Sequence, residues 1–123
     1  MYRIDMKSDI PLYIQIVEET KKAVFLGFFK EGDKIPSIRD LSKDLLVNQS
    51  TVSKAYKELE AQGFIQTVSG RGTFIHLDWD KIESQKDEVY KKIRSVFKEA
   101  LAYGIGWDKI RDIYEELDKE LSV

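Results

Sequence analysis

The stretch PSIRDLSKDLLVNQSTVSKAYKELEAQG, residues 36–63, decides the fold of this chain. Ser37 is suited to cap the N-terminus of a helix, and Asp40 three residues later resembles the acidic member of a capping box. Ile38, Leu41 and Leu45 then recur at helical spacing and line one face. The pattern predicts a short helix that ends near Leu46.

A second short helix follows almost at once. Asn48 is a candidate cap, and Val52, Ala55, Tyr56 and Leu59 recur at three- and four-residue spacing until Gly63. Two short helices joined by only Val47 and its neighbours must pack at a steep angle. The pair therefore predicts a helix-turn-helix.

The segments on either side complete the pattern. A helix is predicted over about 11–27, and its three phenylalanines Phe25, Phe28 and Phe29 are expected to close the core. After residue 63 the apolar period changes from 3.6 to 2, in runs 64–68 and 73–76 around the turn Ser-Gly-Arg-Gly. Three helices followed by a hairpin predict a winged helix.

Residues 78–123 return to a helical pattern. A near-heptad series starts at Ile82 with Lys86 as its one defect, Gly104–Gly106 interrupts it, and a last helix runs to Leu121. A small winged helix offers little cover for these apolar faces, so we expect a partner chain to cover them. Trp79 and the following residues are expected at a dimer interface: Val89, Ile93, Val96, Ala100, Trp107, Ile110, Ile113, Tyr114 and Leu117.

The expected fold class is therefore α+β and mostly helical. Residues 1–77 form a winged helix-turn-helix domain in this prediction, and residues 78–123 form a two-helix dimerisation tail.

Composition excludes several classes of function. The 123 residues contain no cysteine and one histidine, His76, which excludes disulfides, zinc ribbons and thiol catalysis. No phosphate-loop or nucleophile-elbow motif occurs, and Gly104-Ile-Gly106 lacks the third glycine of a dinucleotide fingerprint. The longest apolar run, residues 23–29, is too short for a membrane span. We expect a cytoplasmic protein that is not an enzyme and has no cofactor or metal.

Charge is divided along the chain. The net charge is −2, yet residues 34–76 carry six basic and four acidic side chains, whereas residues 77–123 carry nine basic and twelve acidic ones. The net positive charge of residues 34–76 favours a nucleic-acid partner. The acidic residues 77–123 are not expected to contact it.

Four motifs carry a family resemblance. They are Ile10-Pro-Leu-Tyr-x-Gln-Ile16, Lys34-Ile-Pro-Ser-x-Arg-x-Leu-Ser42, Thr51-Val-x-x-Ala-Tyr-x-x-Leu59 and Gly70-Arg-Gly-Thr-Phe74. In this order and spacing, over about residues 8–76, they resemble the GntR family of bacterial transcription regulators. The short tail resembles that of the YtrA-type subfamily, where it serves dimerisation.

The resemblance implies a DNA-binding site. Arg39 is expected to contact a guanine edge or a phosphate, the alternative being a surface ion pair with Asp40 or Asp44. Four other residues also have an alternative role. Asn48 could instead cap the helix, Ser53 and Lys54 could belong to a solvated helix surface, and Arg71 could be a solvated residue of an ordinary hairpin turn. The full predicted set is Arg39, Asn48, Gln49, Ser50, Thr51, Ser53, Lys54, Gly70, Arg71 and Gly72.

The function that follows is a homodimeric regulator, expected to be a repressor, that binds a pseudo-palindromic operator in double-stranded DNA. In the subfamily the second helix of the helix-turn-helix often opens with Asn-Pro-Asn-Thr-Val, from which Gln49 and Ser50 depart. This difference affects which operator bases the protein is expected to prefer. Two alternatives stay open: a winged-helix module for protein interaction, and a sensor of a small-molecule effector whose identity is unknown.

Overall fold

The computed structural model describes residues 2–121. They form two compact units, which divide between Ile82 and Glu83. The helices are α1 (Leu12–Phe25), α2 (Ile38–Leu45), α3 (Gln49–Ala61), α4 (Trp79–Ala102) and α5 (Trp107–Leu121), and the strands are β1 (Lys34–Ile35), β2 (Ile65–Val68) and β3 (Gly72–Ile75). Helix α4 begins in the first unit and continues into the second.

The predicted helix-turn-helix is confirmed in α2 and α3. The Ser37 hydroxyl accepts a hydrogen bond of 3.0 Å from the Asp40 N–H and caps α2. Helix α2 stops at Leu46, which adopts a left-handed backbone with φ of 57°. The Val47 N–H then donates to the Ser42 carbonyl over 3.1 Å. This closes the last turn of α2 and sends the chain sharply into α3.

The predicted hairpin is also confirmed, and it gains a strand that the sequence analysis did not predict. Strands β2 and β3 pair antiparallel, with Val68 opposite Gly72. The two-residue strand β1 pairs with the other edge of β3, where Lys34 lies opposite Phe74, so the sheet order is β1-β3-β2. Two residues are too few to show a strand period in a sequence.

The core of the first unit lies between α1, α2, α3 and the sheet. Its fully buried side chains include Ile16, Val52, Leu59 and Ile75. Ile82, from the first turns of α4, is 2% exposed and belongs to the same core. The first turns of α4 are therefore anchored on the winged helix by the apolar contacts of this isoleucine.

The prediction that three phenylalanines close the core is wrong for two of them. Phe29 packs against the core, but Phe25 is 52% exposed and Phe28 is 65% exposed. Helix α1 ends at Phe25, and Gly27 with φ of 83° turns the chain before Phe28. The Phe25 ring instead packs edge-on against Phe64, with 6.1 Å between the ring centroids.

The second unit consists of the rest of α4 and all of α5. Gly104, with φ of 70°, ends α4, and the Ile105 N–H donates to the Ala100 carbonyl over 2.9 Å. This is a Schellman motif, which lets the chain leave one helix and enter the next. None of the helices within residues 2–121 has the length and apolarity needed to cross a membrane.

Apolar side chains of this unit face solvent. Of the predicted dimer residues, Ala100 and Ile110 are partly buried. The others are at least two-fifths exposed: Trp79 at the start of α4, and Val89, Ile93, Val96, Trp107, Ile113, Tyr114 and Leu117. Tyr90, Phe97 and Leu101 on α4 are exposed as well, although the heptad pattern did not include them. The side chain of Leu121 lies outside the described part of the chain.

Candidate nucleic-acid interface

An open groove of about 970 Å³ lies where the starts of α2 and α3 meet β1 and the turn end of the β2–β3 hairpin. Five of the predicted site residues line it: Arg39, Gln49, Ser50, Ser53 and Gly72. The fold thus brings together residues that are up to 33 positions apart in the sequence. We call this feature the α2–α3 groove.

Arg39 is exposed in the first turn of α2. Among residues 2–121, no carboxylate oxygen lies within 4.0 Å of its guanidinium, so the alternative ion pair with Asp40 or Asp44 does not form. A planar guanidinium with five donors and no protein partner is suited to a phosphate or a guanine edge.

The N-terminus of α3 presents polar groups to the same groove. Asn48 occupies the N-cap position with an extended backbone, but its side chain makes no capping hydrogen bond. Its carbonyl accepts from the N–H groups of Thr51 and Val52 at 3.1 and 3.4 Å. The amide side chain is thus not used as a cap. Gln49 and Ser50 are exposed in the first turn, where the helix dipole also favours an anion.

Two other predicted residues of α3 have different surroundings. Thr51 is partly buried. The Lys54 ammonium lies over the ring of Tyr13 on α1, 4.1 Å from the ring centroid. This cation–π contact fixes where the positive charge of Lys54 is held, although the residue remains exposed.

The turn between β2 and β3 forms the wing. The Arg71 N–H donates to the Val68 carbonyl over 3.0 Å, and Gly70 supplies the positive φ of 77° that this turn requires. The Arg71 side chain is exposed, and no acidic side chain in the described residues pairs with it. It is free to reach a neighbouring polyanion.

Gly72 has a role that the sequence analysis did not foresee. Its φ is 124°, and a Cβ atom placed on it would lie 2.8 Å from Cε of Lys34. The Lys34 side chain therefore crosses the open face of this glycine. The space beside this predicted DNA-contacting glycine is filled by a lysine stem.

Lys34, Thr67 and Thr73 also line the groove and were missed by the sequence analysis. Lys34 belongs to β1, which is too short to be recognised. Its signal is the position directly before the buried Ile35 in the Lys-Ile-Pro-Ser motif. Alternation along a strand places the residue before a buried one on the outer face.

His76, the single histidine of the sequence, lies on the surface beside an acidic side chain. The Nδ1 atom of His76 lies 3.3 Å from the Glu31 carboxylate, and both side chains are 56% exposed. The part of the chain that the structure describes holds no group of three His, Cys, Asp or Glu side chains arranged for a metal ion.

Comparison with known proteins agrees with this geometry. The family model "Bacterial regulatory proteins, gntR family" matches residues 12–75. The HTH-type transcriptional repressor YtrA of Bacillus subtilis (strain 168) is 34% identical over 98% of this chain and 95% of its own length.

Solved structures show the same fold. The transcriptional antiterminator from Listeria monocytogenes EGD-e has a TM-score of 0.83 and 37% identity, over 98% of this chain and 92% of that one. The AraR DNA-binding domain in complex with operator ORX1 has a TM-score of 0.55 and 28% identity, over 59% of this chain and 94% of that one. The predicted resemblance and the predicted winged helix-turn-helix are confirmed: this chain is a member of the GntR family of bacterial transcription regulators.

Proposed function

We propose that this protein is a repressor that binds a pseudo-palindromic operator in double-stranded DNA as a homodimer. The observation that carries the proposal is the α2–α3 groove, where the unpaired Arg39 guanidinium meets Gln49 and Ser50. The name of the Bacillus subtilis relative, a transcriptional repressor, and the operator complex of the AraR domain support it. The proposal includes a location in the bacterial cytoplasm, where a repressor meets chromosomal DNA.

In this proposal the N-terminus of α3 enters the major groove. The Gln49 amide is able to pair with an adenine edge through two hydrogen bonds, while Ser50 and Thr51 contact a phosphate or a thymine methyl group. Asn48 stands beside them, because its side chain is not used as a cap. Arg39 binds a guanine edge or a phosphate from the start of α2.

The wing contacts the DNA next to this site. Arg71 stands between two glycines at the hairpin turn and is exposed. An arginine on a narrow turn is suited to the minor groove or its phosphate rim. The wing therefore adds charge and orientation, and α3 supplies most of the base reading.

Dimerisation explains the apolar surface of α4 and α5. Val89, Ile93 and Val96 follow one face of α4 and are 42–59% exposed. Exposed apolar residues in a continuous series mark an interface, and full burial of such a side chain is worth about 1.5–3 kcal/mol. A two-fold dimer presents two copies of α3, which matches a pseudo-palindromic operator.

Charge reversal at two positions tests the assigned DNA site. Arg39→Glu and Arg71→Glu should each weaken binding to the promoter duplex of the protein's own operon, measured by fluorescence anisotropy, by at least tenfold. Each change removes a cation and adds an anion near the phosphates. Lys119→Glu, on α5, is the matched control and should bind as the wild type does. Wild-type affinity in both arginine variants would refute the assignment and favour a protein-interaction role.

A further inference from the structure

Lys34 is an exposed cation of the α2–α3 groove whose side chain lies against Gly72 of the hairpin. In β1 its neighbour Ile35 is 2% exposed and belongs to the core, so Lys34 faces outward. Its pairing with β3 sets it opposite Phe74 at the base of the wing. The two ends of the site, α2 and the hairpin, are thus joined by the strand that carries this lysine.

The contact with Gly72 directs the lysine stem. A Cβ atom on Gly72 would lie 2.8 Å from Cε, 3.4 Å from Nζ and 3.8 Å from Cδ of Lys34. These three atoms lie over the glycine because no side chain occupies that space. A long lysine stem normally samples many rotamers, and a surface that receives it reduces that freedom.

The charge of Lys34 is available to a ligand. No carboxylate within residues 2–121 lies within 4.0 Å of its ammonium. The groove holds a second unpaired cation in Arg39 and one acid in Asp40, so its lining is positive on balance. A compact ammonium is a point charge suited to a phosphate rather than to a base edge.

We propose that Lys34 is a phosphate-contacting residue of the DNA interface, and that Gly72 positions it by leaving the space that its stem crosses. This inference rests on the proposed function, because it requires that the α2–α3 groove faces DNA. It assigns Lys34 a place between the recognition helix and the wing. It also gives Gly72 a positioning role instead of a direct approach to the duplex.

The first test is the salt dependence of binding by the full-length Lys34→Gln variant. Each lost phosphate contact should reduce the slope of log K against log salt concentration by about 0.9. Because a dimer loses two such contacts, the slope should fall by about 1.8 in total. Affinity for the promoter duplex and for a scrambled duplex should fall by the same factor, because a phosphate contact carries no base information. Gln49→Ala should instead reduce the difference in affinity between the promoter duplex and the scrambled duplex.

The control for charge is Lys30→Gln, an exposed lysine of the same unit that does not line the groove. It should keep the wild-type slope and affinity. Melting curves by circular dichroism show whether each variant is folded. A Lys34→Gln slope equal to that of Lys30→Gln would overturn the phosphate contact.

The second test is a double-mutant cycle of Lys34→Gln with Gly72→Ala. An alanine at φ of 124° strains the wing whether or not Lys34 is present. Gly72→Ala should also weaken DNA binding by displacing the lysine stem, and only this second loss should be absent in the Lys34→Gln background. We expect Gly72→Ala to weaken binding at least threefold more in the presence of Lys34 than in its absence. Additive effects would overturn the positioning role.

Different results would refute the phosphate contact of Lys34 and the proposed function of the groove. If Arg39→Gln weakens binding and Lys34→Gln has no effect, this inference is wrong and the proposed interface stands. If Arg39→Gln, Gln49→Ala and Lys34→Gln all bind as the wild type does, the groove does not face DNA and the proposed function itself is refuted.

Discussion

At the scale of single residues, Leu46 has a strained backbone in the turn of the helix-turn-helix. It adopts φ of 57° in the turn between α2 and α3, and its side chain is 86% exposed. The corresponding turns after α1, α3 and α4 use Gly27, Gly63 and Gly104. A left-handed backbone costs an L-residue about 1–2 kcal/mol, and almost no burial of the leucine offsets this.

Leu46→Gly should therefore raise the free energy of unfolding by about 0.5–1 kcal/mol, after the entropy cost of glycine in the unfolded chain is subtracted. Urea denaturation followed by circular dichroism measures it. Leu46→Ala is the control, since it removes the same side chain but keeps the backbone strain. A glycine variant no more stable than the alanine variant would contradict this explanation.

Tyr56 links α3 to the start of α2 and predicts a pH effect. Its hydroxyl donates to the Pro36 carbonyl over 2.6 Å, and burial raises the pKa of the phenol above its ordinary value of 10. Below pH 10 this group is protonated in both states and its contribution is constant. Above pH 10 the unfolded chain loses the proton first, so stability falls as pH rises.

Tyr56→Phe should cost about 1 kcal/mol near pH 7, because the Pro36 carbonyl loses its donor. The same change should make the loss of stability between about pH 9 and about pH 11 less steep, since the ordinary phenol pKa is about 10. Urea denaturation across this range compares the two proteins. An equal alkaline decline in both would show that Tyr56 is not responsible.

At the scale of elements, the junction of α3, β2 and α4 is tighter than the other helix ends. A Cβ atom on Gly63 would lie 3.0 Å from Cβ of Asp78 and 3.1 Å from Cβ of Lys81, whereas one on Gly27 would meet nothing within 4 Å. Both glycines have a φ near 84°. Alanine substitutions at these two glycines therefore have the same backbone strain but differ in steric crowding.

Gly27→Ala should cost about 1 kcal/mol, the strain of a left-handed alanine. Gly63→Ala should cost about 1–3 kcal/mol more, because atoms close to the backbone at the start of α4 must move. Thermal unfolding by circular dichroism ranks the two variants. Equal melting temperatures would mean that the first turns of α4 do not press on the end of α3.

Element by element, the sequence predicted the parts that depend on local pattern. The Ser37 cap and the apolar spacing of α2 and α3 were sufficient for the helix-turn-helix, and the glycine turn for the hairpin. Strand β1 was missed because two residues show no period. The exposure of Phe28 was missed because it depends on where α1 ends, which periodicity places only roughly.

The candidate site was predictable in part for the same reason. Arg39 follows from its motif, and Gln49 and Ser50 follow from their place at the start of α3; all three line one groove. Lys34 needed the three-dimensional pairing of β1 with β3 before it joined them. The packing of Lys54 on Tyr13 likewise depends on how α1 crosses α3, which sequence spacing does not reveal.

At the scale of the whole molecule, operator binding by a dimer requires that α4 and α5 pair with a second copy. Ile93→Asp should yield monomers in sedimentation at micromolar concentration and abolish tight operator binding, because one winged helix alone makes few contacts. Lys98→Asp, on the opposite side of α4 by helical spacing, is the control and should remain dimeric. Wild-type protein that sediments as a monomer would refute the dimerisation role of the tail.

The central claim is sequence-specific operator binding, and one titration tests it most directly. Wild-type protein is titrated by fluorescence anisotropy on the promoter duplex of its own operon and on a scrambled duplex, each over a range of salt concentrations. The promoter duplex should be bound at least 10³-fold more tightly than the scrambled one, and affinity for both duplexes should fall steeply with salt. Absence of binding to either duplex at low salt would contradict the claim.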